Sequence, residues 1–218
     1  MDEERIGEVI HLLEGNLTQW DLPIVSHLAE ARRDPFTILI STILSLRTKD
    51  EVTATATERL FALAGTPEEM ERLSDGEIMR AIYPVGFYKT KTATIKTVCR
   101  DLIDRFHSRV PDSIEQLLTM RGVGRKTANL VVSLGYGKDG LCVDTHVHRN
   151  SNRLGYVRTK TPEQTEYALR EKLPRPFWAV YNTLMVAFGR NVCRPISPFC
   201  SKCPVNHICD RVNVTTSR

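Results

Sequence analysis

Four of the six cysteines fall together as Cys193-x6-Cys200-x2-Cys203-x5-Cys209. Thiolates on short loops can enclose one ion or one cluster, and four cysteines suit either zinc or [4Fe–4S]. Structural zinc commonly pairs its ligands as two close CxxC couples. Here only Cys200 and Cys203 are that close. The spacing favours the cubane, as a structural staple. Arg194, Lys202 and Arg211 lie in the same loops and can meet phosphates.

A second constellation is RGVGRKTANL at 121–130. SIEQLLTM before it and KTANLVVSL within and after it both read as helices, so RGVGR joins a helix–hairpin–helix. Gly122 and Gly124 are expected to supply the positive φ angles of a tight turn and to let another backbone approach. The N–H groups of the turn and of the next helix start form an anion site, favoured by the helix dipole. A DNA phosphate fits it and would be held without sequence reading. Arg125 adds charge beside it. A glycine-bearing corner that binds nothing is the reading for GxG alone; GVGRKTA between two apolar helices favours DNA. Lys126 stands at the helix start, where the dipole disfavours a positive charge. A neutral amine there is a nucleophile toward a sugar C1′ or an aldehyde. Position alone leaves that role open beside a phosphate-binding one.

The third is LCVDTHVHR at 141–149. Leu141, Cys142 and Val143 should be buried. Asp144 precedes a helix and reads as its N-cap. A carboxylate there can stabilise positive charge at a sugar carbon or orient a water; a plain cap is the alternative. His146 and His148 lack metal-spaced partners and read as helix-face or DNA-contact residues.

These residues must be positioned by helices. Apolar residues at spacings of three and four recur through the chain, as at Ile6, Val9, Ile10 and Leu13, and from Ala93 to Phe106. Other helices are expected over 35–46, 51–64, 67–72, 76–83, 86–107, 113–120, 125–135, 145–153, 162–172 and 176–188. Asp34-Pro35, Thr66-Pro67, Ser74-Asp75, Asp112-Ser113 and Thr161-Pro162 mark starts. No run alternates as strands do. The expectation is an all-α protein. The glycine-rich loop from Gly135 to Gly140 is taken as a boundary.

The chain has 218 residues, a net charge of +4 and a hydrophobic fraction of 41%. That allows a real core and gives a mild basic bias compatible with nucleic acid. The longest apolar stretch, TILISTILSL at 37–46, is far shorter than the ~20 residues of a membrane span. MDEERIGEVI has none of the features of a signal peptide. A soluble, intracellular (cytoplasmic) protein without a membrane partner is expected. A monomer is assumed.

Taken together, FTILISTILSLRTKD, IYPVGFYKTK, MRGVGRKTANLVV, VDTHVHR and the cysteine tail resemble the endonuclease III family of DNA glycosylases over nearly the whole chain. The resemblance implies two helical domains flanking a DNA-binding cleft. Residues 28–137 would carry the helix–hairpin–helix, and 1–27 plus 138–218 the cluster loop. It implies a [4Fe–4S] cluster on Cys193, Cys200, Cys203 and Cys209. It implies a base excision repair N-glycosylase with AP lyase activity, removing oxidised pyrimidines such as thymine glycol from double-stranded DNA and cutting at abasic sites. The catalytic lysine falls on Lys126 and the aspartate on Asp144. Arg47 and Phe87 fall where side chains fill the space of a flipped base. Gly122, Val123, Gly124, Arg125, Thr127 and His146 fall on the DNA-contacting segments. Many members carry Gln at Arg47 and Leu at Phe87, which puts the opposite-base preference in question. Met120-Arg121 replaces the usual Leu-Pro. The rivals are a mismatch glycosylase for thymine or uracil opposite guanine, and a DNA-binding protein without catalysis.

Overall fold

The computed structural model describes residues 2–20 and 34–218. Within them every regular element is helical. The eleven α-helices are α1 (Glu3–Glu14), α2 (Pro35–Ser45), α3 (Asp50–Leu63), α4 (Pro67–Arg72), α5 (Asp75–Ile82), α6 (Tyr88–Phe106), α7 (Ile114–Leu118), α8 (Arg125–Leu130), α9 (Thr145–Arg153), α10 (Pro162–Lys172) and α11 (Trp178–Asn191).

The starts follow from side-chain chemistry. Asp34 accepts hydrogen bonds from the Phe36 and Thr37 N–H groups at 3.3 and 2.8 Å, with Pro35 in the first turn. Thr66 and Ser74 form reciprocal capping boxes with Glu69 and Glu77. Ser113 and Thr161 cap α7 and α10. Several expected helices differ in detail: the one expected over 113–120 is Ile114–Leu118 and the one expected over 176–188 is Trp178–Asn191. The helix expected over 86–107 begins at Tyr88, because Phe87 is left-handed (φ 58°) and breaks the pattern before it. The helix expected over 125–135 is α-helical only to Leu130 and continues as a π-helical turn, Val131–Gly135.

The chain divides into two compact units. One spans Ile24–Gly140; the other combines Met1–Pro23 with Leu141–Arg218. The crossing expected between 27 and 28 lies outside the described residues. Each unit has its own core. In the first, α2 is buried around its whole circumference, every residue from Phe36 to Leu44 included, with Thr37, Ser41 and Thr42 among the apolar side chains. Leu60, Met70, Ile78, Ile82, Ile95, Val98 and Leu102 close around it from α3 to α6. In the second, Ile6, Val9, Ile10 and Leu13 of α1 join the cluster of Val147, Leu169, Tyr181, Leu184, Met185 and Phe188. The N-terminal helix thus completes the core of the C-terminal segment. No described helix is long and apolar enough to cross a membrane.

Leu39 is fully buried at the centre of α2. Leu39→Ala is expected to destabilise the fold by about 2–5 kcal/mol through lost burial and a residual cavity. Chemical denaturation measures it, and a smaller loss would mean that α2 is not the centre of this core.

Candidate active site

The first unit carries the hairpin. α7 ends in a turn in which Met120 N–H donates to Leu117 O and Val123 N–H to Met120 O, both at 3.1 Å. Gly122 follows with φ 93°, and a Cβ there would stand 2.5 Å from Thr94 Cγ2 on α6. Both the backbone angle and the packing therefore demand glycine. Gly124 departs from expectation. Its φ of −96° and ψ of 173° are ordinary extended backbone, so one positive φ makes this turn, not two. No atom lies within 4 Å of where its Cβ would be. Gly124 is the N-cap of α8 and offers no side-chain cap. The first-turn N–H groups of α8 have no partner one turn back in their own helix.

Arg125 and Lys126, both half-buried, occupy that first turn. Val123 and Thr127 are buried, so any contact they make with DNA falls to their backbone. Neither burial shows in the residue types of GVGRKTA.

Arg47 and Phe87 are also in the first unit, at the ends of two loops. Both are exposed and both have left-handed backbone, φ 54° and 58°. The Arg47 guanidinium lies over the Phe87 ring, 5.7 Å from its centroid. Their separation in sequence hid this pairing.

The second unit carries the carboxylate and the cysteines. Leu141, Cys142 and Val143 are buried, and Asn182 Nδ2 on α11 donates to Cys142 O at 3.2 Å. This fixes the segment that delivers Asp144. Asp144 Oδ1 accepts from His146 N–H at 2.8 Å and Val147 N–H at 3.0 Å, so it caps α9 as expected. His146 Nδ1 lies 3.1 Å from Arg149 Nη2. His148 is committed elsewhere: its Nδ1 is 2.7 Å from Thr165 Oγ1 on α10, and burial lowers its pKa. Its ring therefore joins two helices and is not spread on an open face.

α9 also links the Asp144 cap to the cysteine loops. Arg149 donates to Cys193 O (2.9 Å) and Gly189 O (3.1 Å). One turn on, Arg153 donates to Arg194 O and Pro195 O, both at 2.7 Å, and its Nη1 lies 3.6 Å from Cys193 Sγ. A Cβ on Gly189 would stand 2.6 Å from His146 Nδ1, so this glycine lets α11 and α9 pack closely. The sequence reading gave Arg149 and Arg153 no role. Their i, i+4 spacing, which puts both on one face, was the available signal.

Cys193, Cys200, Cys203 and Cys209 line a single pocket, walled by Leu154, Phe188, Val192, Phe199 and Val214. Burial pushes the Cys203 thiol up to about 12 and raises that of Cys209. Such thiols ionise when a bound cation compensates. Among the described residues, no three His, Cys, Asp or Glu side chains converge on one metal ion.

With that geometry in place, residues 40–175 match the family described as HhH-GPD superfamily base excision DNA repair protein. Endonuclease III of Thermotoga maritima is 47% identical over 177 residues, covering 81% of this chain and 83% of that protein. The chain belongs to the endonuclease III family. It is accordingly a base excision repair enzyme, a DNA glycosylase and AP lyase. A non-covalent endonuclease III–DNA complex matches it with a TM-score of 0.85 at 32% identity, covering 97% of this chain and 96% of that one. A trapped endonuclease III–DNA covalent intermediate with an estranged adenine matches at 0.78 and 36% identity, covering 83% and 85%. Both of these solved relatives are complexes with DNA.

Asp144→Ala is expected to cost about 1 kcal/mol through the lost cap, and Asp144→Asn, which still accepts, much less. Gly122→Ala should cost about 1–3 kcal/mol from its left-handed backbone alone, before the clash with Thr94. Gly124→Ala should leave stability nearly unchanged. Denaturant midpoints of the four variants check this order.

Proposed function

We propose that the enzyme removes oxidised pyrimidines such as thymine glycol from duplex DNA through an imine on Lys126. The observation that carries this is the placement of Lys126. Its amine stands on the first turn of a helix whose N-cap, Gly124, has no side chain and open space beside it. The membership of the chain in the endonuclease III family supports the same role.

The steps follow from the groups available. The damaged nucleotide leaves the stack. Arg47 and Phe87 fill the vacated space, Phe87 as an apolar wedge. The backbone of 122–127 and the Arg125 guanidinium hold phosphates, and His146 adds a contact from α9. Lys126 Nζ attacks C1′, the C1′–N bond breaks, and the base departs with the bonding pair. Loss of the amine proton and opening of the sugar ring give the Schiff base. Removal of a C2′ proton then expels the 3′ phosphate oxygen, nicking the strand by β-elimination. Asp144, held by two N–H groups, stabilises positive charge at the sugar or takes the amine proton.

Cys193, Cys200, Cys203 and Cys209 would hold a [4Fe–4S] cluster. The four cysteines line one pocket, and their sequence spacing, with only Cys200 and Cys203 as a close couple, fits a cubane better than zinc. When bound, the cluster supplies a cross-link among loops too short to fold alone. Residues 28–137 and 1–27 plus 138–218 are the two lobes of this reading, and the protein acts as an intracellular monomer.

Two measurements test the proposal. On a thymine glycol duplex, Lys126→Ala should lose strand nicking altogether, and Asp144→Asn should lose at least about a hundredfold in rate while keeping its fold. Nicking that survives in Lys126→Ala would remove the amine from the mechanism. The purified protein should be yellow-brown, and Cys203→Ser should lose the visible absorption together with stability. A colourless, stable protein containing zinc would overturn the cluster.

A further inference from the structure

The left-handed backbone at Arg47 and Phe87 costs energy, about 1–3 kcal/mol at each residue, and persists only where the surroundings fix it. One buried lysine is bonded to the segment that flanks Arg47. Lys91 on α6 is 7% exposed. Its Nζ donates to Leu44 O at 2.7 Å, to Leu46 O at 2.6 Å and to Thr48 Oγ1 at 3.1 Å. All three ammonium protons are used. Leu44 and Leu46 are at the end of α2, where carbonyls lack intrahelical partners. Thr48 Oγ1 also accepts from Gly86 N–H at 3.2 Å and donates to Leu46 O at 3.3 Å. Thr48 therefore ties the loop that bears Arg47 to the loop that bears Phe87. The two loops also touch directly: a Cβ on Gly86 would stand 2.5 Å from Arg47 O.

We propose that Lys91 is a positioning residue for base extrusion, which through Thr48 and Gly86 presets Arg47 and Phe87 as one stacked wedge. This rests on the reading of Arg47 and Phe87 as the side chains that fill the flipped base's place. Lys91 itself is buried, so it acts through the two loops and not on the DNA. Its cost is consistent with a role beyond stability. Burial pushes Lys91 down to about 8, from 10.5. The penalty for holding its charge is therefore full below pH 8 and is relieved as the pH rises toward 10.5. A buried charge that costs stability at neutral pH persists here because it fixes a conformation, one in which a large apolar ring is left 63% exposed.

The test compares two substrates. One is thymine glycol in duplex DNA, which requires extrusion. The other is an abasic site in a single strand, which requires only the amine chemistry. Lys91→Met and Gly86→Ala are expected to lose about tenfold or more in single-turnover base release from the duplex, roughly 1.4 kcal/mol of transition-state stabilisation. Both should cut the single-stranded abasic site within about twofold of the unaltered enzyme. Adding Arg47→Ala to Lys91→Met should cause little further loss, because both act through one unit. Thr48→Val breaks the link to Gly86 while leaving Lys91 its two carbonyls, and it carries the test if Lys91→Met does not fold. Equal losses on both substrates would reduce Lys91 to a structural residue and overturn the proposal. So would an unchanged duplex rate in these variants while Arg47→Ala and Phe87→Ala are slow. If Arg47→Ala and Phe87→Ala are themselves unchanged on the duplex, the wedge reading fails, and the positioning role fails with it.

Discussion

A helix begins with N–H groups that its own turns cannot satisfy, and the proposed chemistry rests on two such beginnings. One start is capped and the other has no side-chain cap. At α9 the Asp144 carboxylate receives two N–H groups, which holds one oxygen fixed. At α8 the N-cap is Gly124, which contributes no side-chain cap. The same backbone feature thus fixes Asp144 in one unit and, in the proposed reading, underlies the phosphate site and the Lys126 amine in the other.

Everything around these two starts serves to hold them. Gly122 can bend the chain into α8 because it alone tolerates both φ 93° and the approach of Thr94. The buried α2 gives the first unit its centre, and its C-terminal carbonyls are closed by Lys91. In the second unit α9 runs from the Asp144 cap to the cysteine loops, with Arg149 and Arg153 donating to loop carbonyls. Loss of whatever the cysteines hold would therefore be felt along α9.

The sequence was most legible where chemistry demands particular residue types at close spacing. The four cysteines, GVGRKTA and VDTH are such places, and helix periodicity marked the elements that carry them. Caps at Asp34, Thr66, Ser74, Ser113 and Thr161 were readable because short polar side chains at helix starts have one job. What stayed hidden depends on tertiary context. Gly124 could have taken a positive φ, and only the packed hairpin shows that Gly122 does so alone. Thr127 and Val123 are buried by α8's position, which no local pattern states. Lys91 reads as one more surface cation in YKTKTA. Its role exists only because α2 ends against it, 45 residues away in sequence. Arg47 and Phe87 are separated by 40 positions, and nothing in either segment predicts a cation over a ring.

In the proposed mechanism the nucleophile is the amine of Lys126. The most direct measurement is borohydride reduction during reaction with a thymine glycol duplex, followed by peptide mapping of the cross-linked product. The account predicts a stable protein–DNA adduct whose modified peptide contains Lys126. An adduct on another lysine, or DNA bound and its base released with no adduct at all, would contradict it.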